Sequence, residues 1–376
     1  MTRKQRLLKQ IRGEPVDRIP MLGGWNLGVK NLAAIAGLSV EKYLNDPFRG
    51  VIQANLALGV DAVVPPIVPV DIAAIRDGSI QESSFKDVVP EALKARADAI
   101  PGDEGKVLAR FDPAAAERDY RAQLDSLLPK LGAIELLPTF WLAPANFALY
   151  FQYGYEAFLS ATALYPDEVG RIFWEDGLLA RERNRILVRL MKEYDLIPML
   201  FTGHDICNGS GPMCSPAFLR KQYFPNMKMS LEPFVEAGVR VIGHCDGNIM
   251  PLIDDMIAAG MSGFQGFQYE FGVDPCDIDQ RRSARGEKLL YFTGLSVTCT
   301  LPLGSVRDVE EEVDYFLDFT DGGKRMFLFT SNVTGVDVPP RNIIAAYRHL
   351  SACVPPIPSR RVGVRPEWPW RLAHPG

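Results

Sequence analysis

Residues 239–248 read Val239-Arg240-Val241-Ile242-Gly243-His244-Cys245-Asp246-Gly247-Asn248, and residues 197–205 read Ile197-Pro198-Met199-Leu200-Phe201-Thr202-Gly203-His204-Asp205. Each is a short apolar run that ends in Gly-His with an acid close behind. Such a run, bounded by turn signals, reads as a buried strand. Working outward, comparable runs fall at 18–25, 60–68, 133–140, 197–203, 239–244, 261–268, 288–294 and 325–331. Helical patterns separate most of them. Pro166-Asp167-Glu168 opens a long helix to about Tyr194, Ser215-Pro216 is a cap followed by a first-turn proline, Ser305 with Asp308 resembles a capping box, and Pro339-Pro340 starts a last helix. Eight strands alternating with helices point to the α/β class and a closed (β/α)8 TIM barrel. An open doubly wound sheet is the alternative that a strand count does not exclude.

The second and third runs are about 65 residues apart, so 69–132 reads as an insertion between strands 2 and 3, with a turn at Pro101-Gly102-Asp103-Glu104-Gly105. Residues 1–353 form a single barrel domain on this reading. Residues 354–376, rich in proline and arginine and carrying Trp368 and Trp370, form an extended arm that packs on the surface or on the neighbouring subunit of a homodimer.

The 376-residue chain is 47% hydrophobic and 23% charged with a formal net charge of −5. A weakly acidic surface gives no electrostatic reason to bind nucleic acid or an anionic membrane, and no apolar run approaches the roughly 18 residues of a membrane span. The basic residues 1–12 precede no continuous apolar region, which argues against a signal peptide. Cysteines at 207, 214, 245, 276, 299 and 353 show no CxxC pair or zinc-finger spacing, so reduced thiols in the cytoplasm are expected.

In a barrel, function sits at the carboxyl ends of the strands. Those ends carry Gly24-Trp25-Asn26, Thr139-Phe140-Trp141, His204-Asp205, His244-Cys245-Asp246, then Gln265, Gln268 and Glu270, and Ser331-Asn332. Two of only four histidines lie at two consecutive ends. His204, Asp205, His244 and Asp246 are therefore the catalytic candidates, since imidazole and carboxylate together suit a divalent metal or a general acid–base pair. The plain alternative is that each histidine caps its strand by hydrogen bonding. The aromatic density of Phe140, Trp141, Phe147, Tyr150, Phe151, Tyr153, Tyr155 and Phe158 is either core packing or an apolar wall for an aromatic or methylated ligand. Trp25, Asn26, Phe140, Trp141, Tyr153, Gln265 and Gln268 are the substrate-binding candidates. Strand alternation turns Cys245 away from the mouth, so it reads as a structural thiol. There is no GxGxxG, GxxxxGK[ST] or GxSxG motif and no DxHxxG cobalamin signature.

From Thr202 to Gly266 the chain resembles the uroporphyrinogen decarboxylase superfamily, in Gly211-Pro212, Ser215-Pro216, Tyr223, Pro225, Ala237-Gly238-Val239, His244-x-Asp246-Gly247-Asn248 and Ala259-Gly260. Arg12-Gly13-Glu14-Pro15-Val16-Asp17-Arg18-Ile19-Pro20 and Asp337-Val338-Pro339-Pro340-Arg341-Asn342-Ile343 extend the resemblance to both ends. It implies the barrel independently of the strand count. Decarboxylases of the superfamily carry an arginine-rich motif after the first strand. Here the place reads Met21-Leu22-Gly23-Gly24-Trp25-Asn26-Leu27, without arginine, although a substrate with eight carboxylates needs cationic partners.

The resemblance is nearer to the corrinoid-dependent methyltransferase branch, which has a His-x-Cys-Gly-Asn segment and a later cysteine as zinc ligands. Matching the motif places His244 on the histidine, Asp246 on the first cysteine and Asn332 on the later one. The implied metal ligands are thus His244, Asp246 and Asn332, with zinc as the metal. Oxygen in place of thiolate disfavours activation of an incoming thiol. The expected function is instead demethylation of a small methylated substrate, best an aryl methyl ether, with transfer to cobalamin or another corrinoid on a separate corrinoid-binding protein. A uroporphyrinogen decarboxylase-like lyase and a non-catalytic binding barrel are the alternatives.

Overall fold

Each of the eight apolar runs coincides with a strand, and most strands are shorter than their run. A computed structural model describes residues 1–26, 28–68 and 88–357. The parallel strands are β1 (Leu22–Gly23), β2 (Ala62–Val63), β3 (Glu135–Leu136), β4 (Met199–Gly203), β5 (Arg240–His244), β6 (Gly263–Gln265), β7 (Leu290–Leu295) and β8 (Met326–Thr330). They form two parallel sheets, ordered β1-β2-β3 and β8-β7-β6-β5-β4. The fold is mixed α/β, with helices between the strands. Because β1, β2 and β3 pair through only two residues each, the ladder is not continuous. Isolated parallel bridges, Met21 with Leu328 and Thr139 with Phe201, span the two seams between the sheets.

Alternation along the strands sorts their side chains into two layers. Leu22, Ala62, Leu137, Met199, Phe201, Ile242, Leu290, Phe292, Phe327 and Phe329 make one enclosed cluster. Their neighbours Met21, Val63, Leu136, Leu200, Val241, Tyr291 and Leu328 belong to the larger core between sheet and helices. The Pro166–Glu193 helix supplies Val169, Ile172, Phe173, Leu187, Leu190 and Met191 to that core, as the apolar spacing predicts. Ser305 and Asp308 form a reciprocal capping box, and Ser215 accepts from the Phe218 N–H. Residues 208–211, Asn208-Gly209-Ser210-Gly211, make the turn of a small antiparallel hairpin, Cys207–Asn208 with Gly211–Pro212.

The described part of the 69–132 segment holds three helices, Glu91–Asp98, Glu104–Leu108 and Pro113–Leu131. Residues 69–87 and the arm beyond Ile357 lie outside the described residues. Among the described residues no helix is long and apolar enough to cross a membrane.

The amino-terminal helix (Arg3–Ile11) is tied to the strands through Asp61, which is fully buried. Its carboxylate accepts from Arg6 at 2.5 Å, from Arg18 at 2.8 Å and from the Met21 N–H at 3.0 Å. Removing one partner of a buried ion pair strands the others without counter-charge. Asp61→Ala is expected to cost about 3–5 kcal/mol, read as a lowered urea midpoint by circular dichroism.

Candidate functional site

Register delivers the site. Gly203 is paired with His244, and His244 with Gln265, so the last residues of β4, β5 and β6 lie side by side. The Gly-His pattern on β4 has a steric cause: Gly203 has φ +150, and a Cβ there would stand 2.0 Å from the His244 carbonyl oxygen. By alternation His244 follows Ile242 to the inner side, whereas Cys245 joins the outer core.

The buried Gln265 side chain decides the chemistry of His244. Its amide nitrogen donates to the carbonyls of Thr330 at 2.5 Å and Ser331 at 2.9 Å. The amide oxygen must therefore face His244 Nδ1, 2.6 Å away, and Nδ1 must carry the proton. In neutral His244 the lone pair then sits on Nε2. That atom faces Asp205 Oδ1 at 3.6 Å and Asp246 Oδ1 at 4.0 Å. Three acceptors turned toward one point repel unless a proton or a cation lies between them.

Both carboxylates are held in place. Asp205 Oδ1 accepts from the Asp246 N–H at 2.9 Å, and Asp246 Oδ2 accepts from the Asn332 amide at 2.6 Å. Burial and the nearby Asp205 charge push the Asp246 carboxyl up, against the pull of His244 and Asn332. The loop that follows is held from two sides: Asn248 N–H donates to the hairpin at the Asn208 carbonyl at 2.9 Å, and Gly247 N–H donates to Gln268 Oε1 beyond β6. Gly247 has φ +83, and a Cβ would clash with the Asn208 backbone.

Ligand atoms of Asp205, His244 and Asp246 lie within 4.8 Å of one another. Bonds of about 2.0–2.2 Å from a zinc-like ion to nitrogen and oxygen donors fit such spacing. These three residues could hold a divalent cation.

Above them opens a cavity of about 680 Å³. Its foot is Gly203, His204, Asp205 and His244; its wall is Trp141, Leu142, Ala148, Tyr150 and Phe151, with Asn146 and Gln152. Tyr150 donates to the Asp205 carbonyl at 3.3 Å. His204 is held neutral, its pKa lowered to about 4 chiefly by burial, with Asp205 and the Trp141 backbone opposing.

The substrate-binding candidates divide. Trp141 lines the cavity, its ring 6.0 Å from His244. Trp25 is beneath it, 3% exposed and edge-on to His244 at 5.1 Å, with φ +56 and its indole N–H on the Pro65 carbonyl. Asn26 instead faces Thr334, whose hydroxyl it accepts at 2.9 Å. Phe140 packs edge-on against Tyr120 in a separate small cavity, and Tyr153 packs on the core. In their place Tyr150 and Phe151 form the wall. Gln265 and Gln268 are occupied as braces.

Asn332, a ligand implied by the resemblance, donates its amide to Asp246 and accepts from the Val333 N–H at 2.6 Å, and Asp205 lies with His244 and Asp246 in the acid–imidazole cluster. Asp205 directly follows Gly203-His204, and that adjacency was the signal in the sequence.

Because Gln265 fixes the tautomer, Gln265→Met is expected to weaken Zn²⁺ binding about 10–100-fold in calorimetric titration, with the circular dichroism spectrum unchanged.

No family model matches the chain, and no curated protein matches it. Among solved structures it is similar to a methyltransferase from Methanosarcina mazei, with a TM-score of 0.60 and 17% identity, covering 93% of this chain and 98% of that one. At that identity the likeness speaks for a shared fold across nearly the whole of both chains.

Proposed function

We propose that the chain is a cytoplasmic methyltransferase that takes the methyl group from a small methylated substrate, an aryl methyl ether, and passes it to a corrinoid on a separate protein. We read its eight strands as one closed (β/α)8 barrel of the uroporphyrinogen decarboxylase superfamily, nearest to the corrinoid-dependent methyltransferases. The seam bridges, the single inner cluster and the solved methyltransferase of similar fold support that reading. Residues 1–353 make the barrel domain and 354–376 its extension.

The observation that carries the proposal is the tautomer-locked His244 Nε2 between two carboxylates, at the foot of an aromatic-walled cavity. Demethylation of an ether breaks a carbon–oxygen bond and leaves its electron pair on oxygen. The partner's corrinoid, as co-substrate, would take up the methyl carbon. A divalent cation held by Asp205, His244 and Asp246 would supply Lewis acidity to the departing oxygen. The chain's own residues do the rest. Gln265 and Asn332 fix the two arms of the cluster, and Trp141, Tyr150 and Phe151 orient the ring and thin out water around it. The motif comparison also favours this over decarboxylation, since the described cavity wall offers no arginine or lysine for a polycarboxylate.

The test mixes the full chain, cob(I)alamin and a panel of methoxylated aromatics and methylamines, following methylcobalamin by absorbance. Methylation from a methoxylated aromatic is expected, and Asp246→Ala should lower turnover at least about tenfold, or about 1.4 kcal/mol in the barrier. No methylation by folded protein across the panel overturns the proposal. Wild-type turnover in Asp246→Ala removes Asp246 from the site.

A further inference from the structure

The cavity has a one-sided charge inventory. Among its described lining residues there is no lysine or arginine, and the formal charge at its foot is the Asp205 carboxylate. Its upper wall is hydrocarbon and aromatic ring, with neutral amides at Asn146 and Gln152. We infer that this cavity selects an uncharged aryl methyl ether and rejects methoxylated aromatic acids. The methyl ether rests on the function proposed above; the charge selection rests on the cavity.

The physical case has two parts. A ring carboxylate entering this wall loses water and gains no counter-charge from the described lining, and a guanidinium or ammonium is the usual partner that makes such burial favourable. Neutral hydroxyl or methoxy substituents carry no such penalty, and the amides of Asn146 and Gln152 are suited to them. Asn146 already spends its oxygen on the Ala148 N–H at 3.0 Å, which leaves its amide nitrogen to donate.

A methylated ammonium is the competing ligand for aromatic rings beside an acid. Two features set it aside. Asp205 Oδ1 is turned down into the cluster, toward the Asp246 N–H and His244 Nε2, and a cation or proton there neutralises it. The rings also do not form an open cage. Tyr150 gives one face to Tyr155, stacked at 4.4 Å and 10°, and Trp141 leans on Trp25 at 5.9 Å. The Tyr150 face stacked on Tyr155 is not available to enclose a cation.

The experiment is a tryptophan-fluorescence titration of the full chain, without corrinoid and at physiological ionic strength. The probes are 2-methoxyphenol, 3-methoxybenzoate and phenyltrimethylammonium, and Trp141→Phe locates the signal in the cavity. Expected are saturable quenching by 2-methoxyphenol, diminished in Trp141→Phe, and binding of each charged probe at least about tenfold weaker. Equal or tighter binding of 3-methoxybenzoate overturns the inference, as does preference for the ammonium probe or no quenching by 2-methoxyphenol. Charge discrimination without methylation of cob(I)alamin would sink the proposed reaction and leave the cavity assignment standing; methylation without discrimination would do the reverse.

Discussion

One buried amide sets the terms for everything at the mouth of the strands. Gln265 reaches from β6 to the carbonyls that end β8 and to the imidazole that ends β5. Its two carbonyl contacts fix which way the amide lies, the amide fixes the proton on Nδ1, and the proton leaves Nε2 as an electron-pair donor. Without that sequence of constraints, His244 would be one more ring packed among Trp25, Trp141 and Phe201. With it, the ring, Asp205 and Asp246 become a set of donors aimed at a common point.

The aromatic surroundings do two jobs that reinforce each other. Trp141 lines the cavity, and together with Trp25 and Phe201 it shields the imidazole from water. Trp25 accepts a left-handed backbone to do so, its position fixed by the indole N–H on Pro65 and by the Thr334 N–H on its carbonyl. Strain of this kind persists only where surrounding contacts over-determine it. An electron-pair donor set at the bottom of an apolar slot is what leaving-group stabilisation needs, because charge interactions strengthen as water is withdrawn.

The strands were legible because their signal is local: an apolar run, an alternation, a glycine at the end. The two Gly-His ends were legible for the same reason, and register then placed one of them, His244, against Asp205 and Asp246. Harder to see were roles that depend on which partner a side chain meets. Gln265 and Gln268 look like ligand-binding amides in a linear reading, yet their hydrogen bonds go to the protein. Asn332 occupies the place of a ligand in the motif but turns its nitrogen to Asp246. The aromatic segment was visible as composition only. Which of its rings would face the cavity depends on the loop before residue 150 and the two short helices after it, which bury Phe147 and Phe158 and leave Phe151 69% exposed.

The hairpin at Cys207–Asn208 and Gly211–Pro212 has a mechanical consequence. It follows the loop that carries Asp205, and through Asn208 it is fastened to Asn248, just beyond Asp246. A direct bond, Asp246 N–H to Asp205, closes the same circuit from the other side. The two carboxylates thus ride on one plate. The spacing between the two acids is therefore set by hydrogen bonds internal to that plate, independently of the cavity wall.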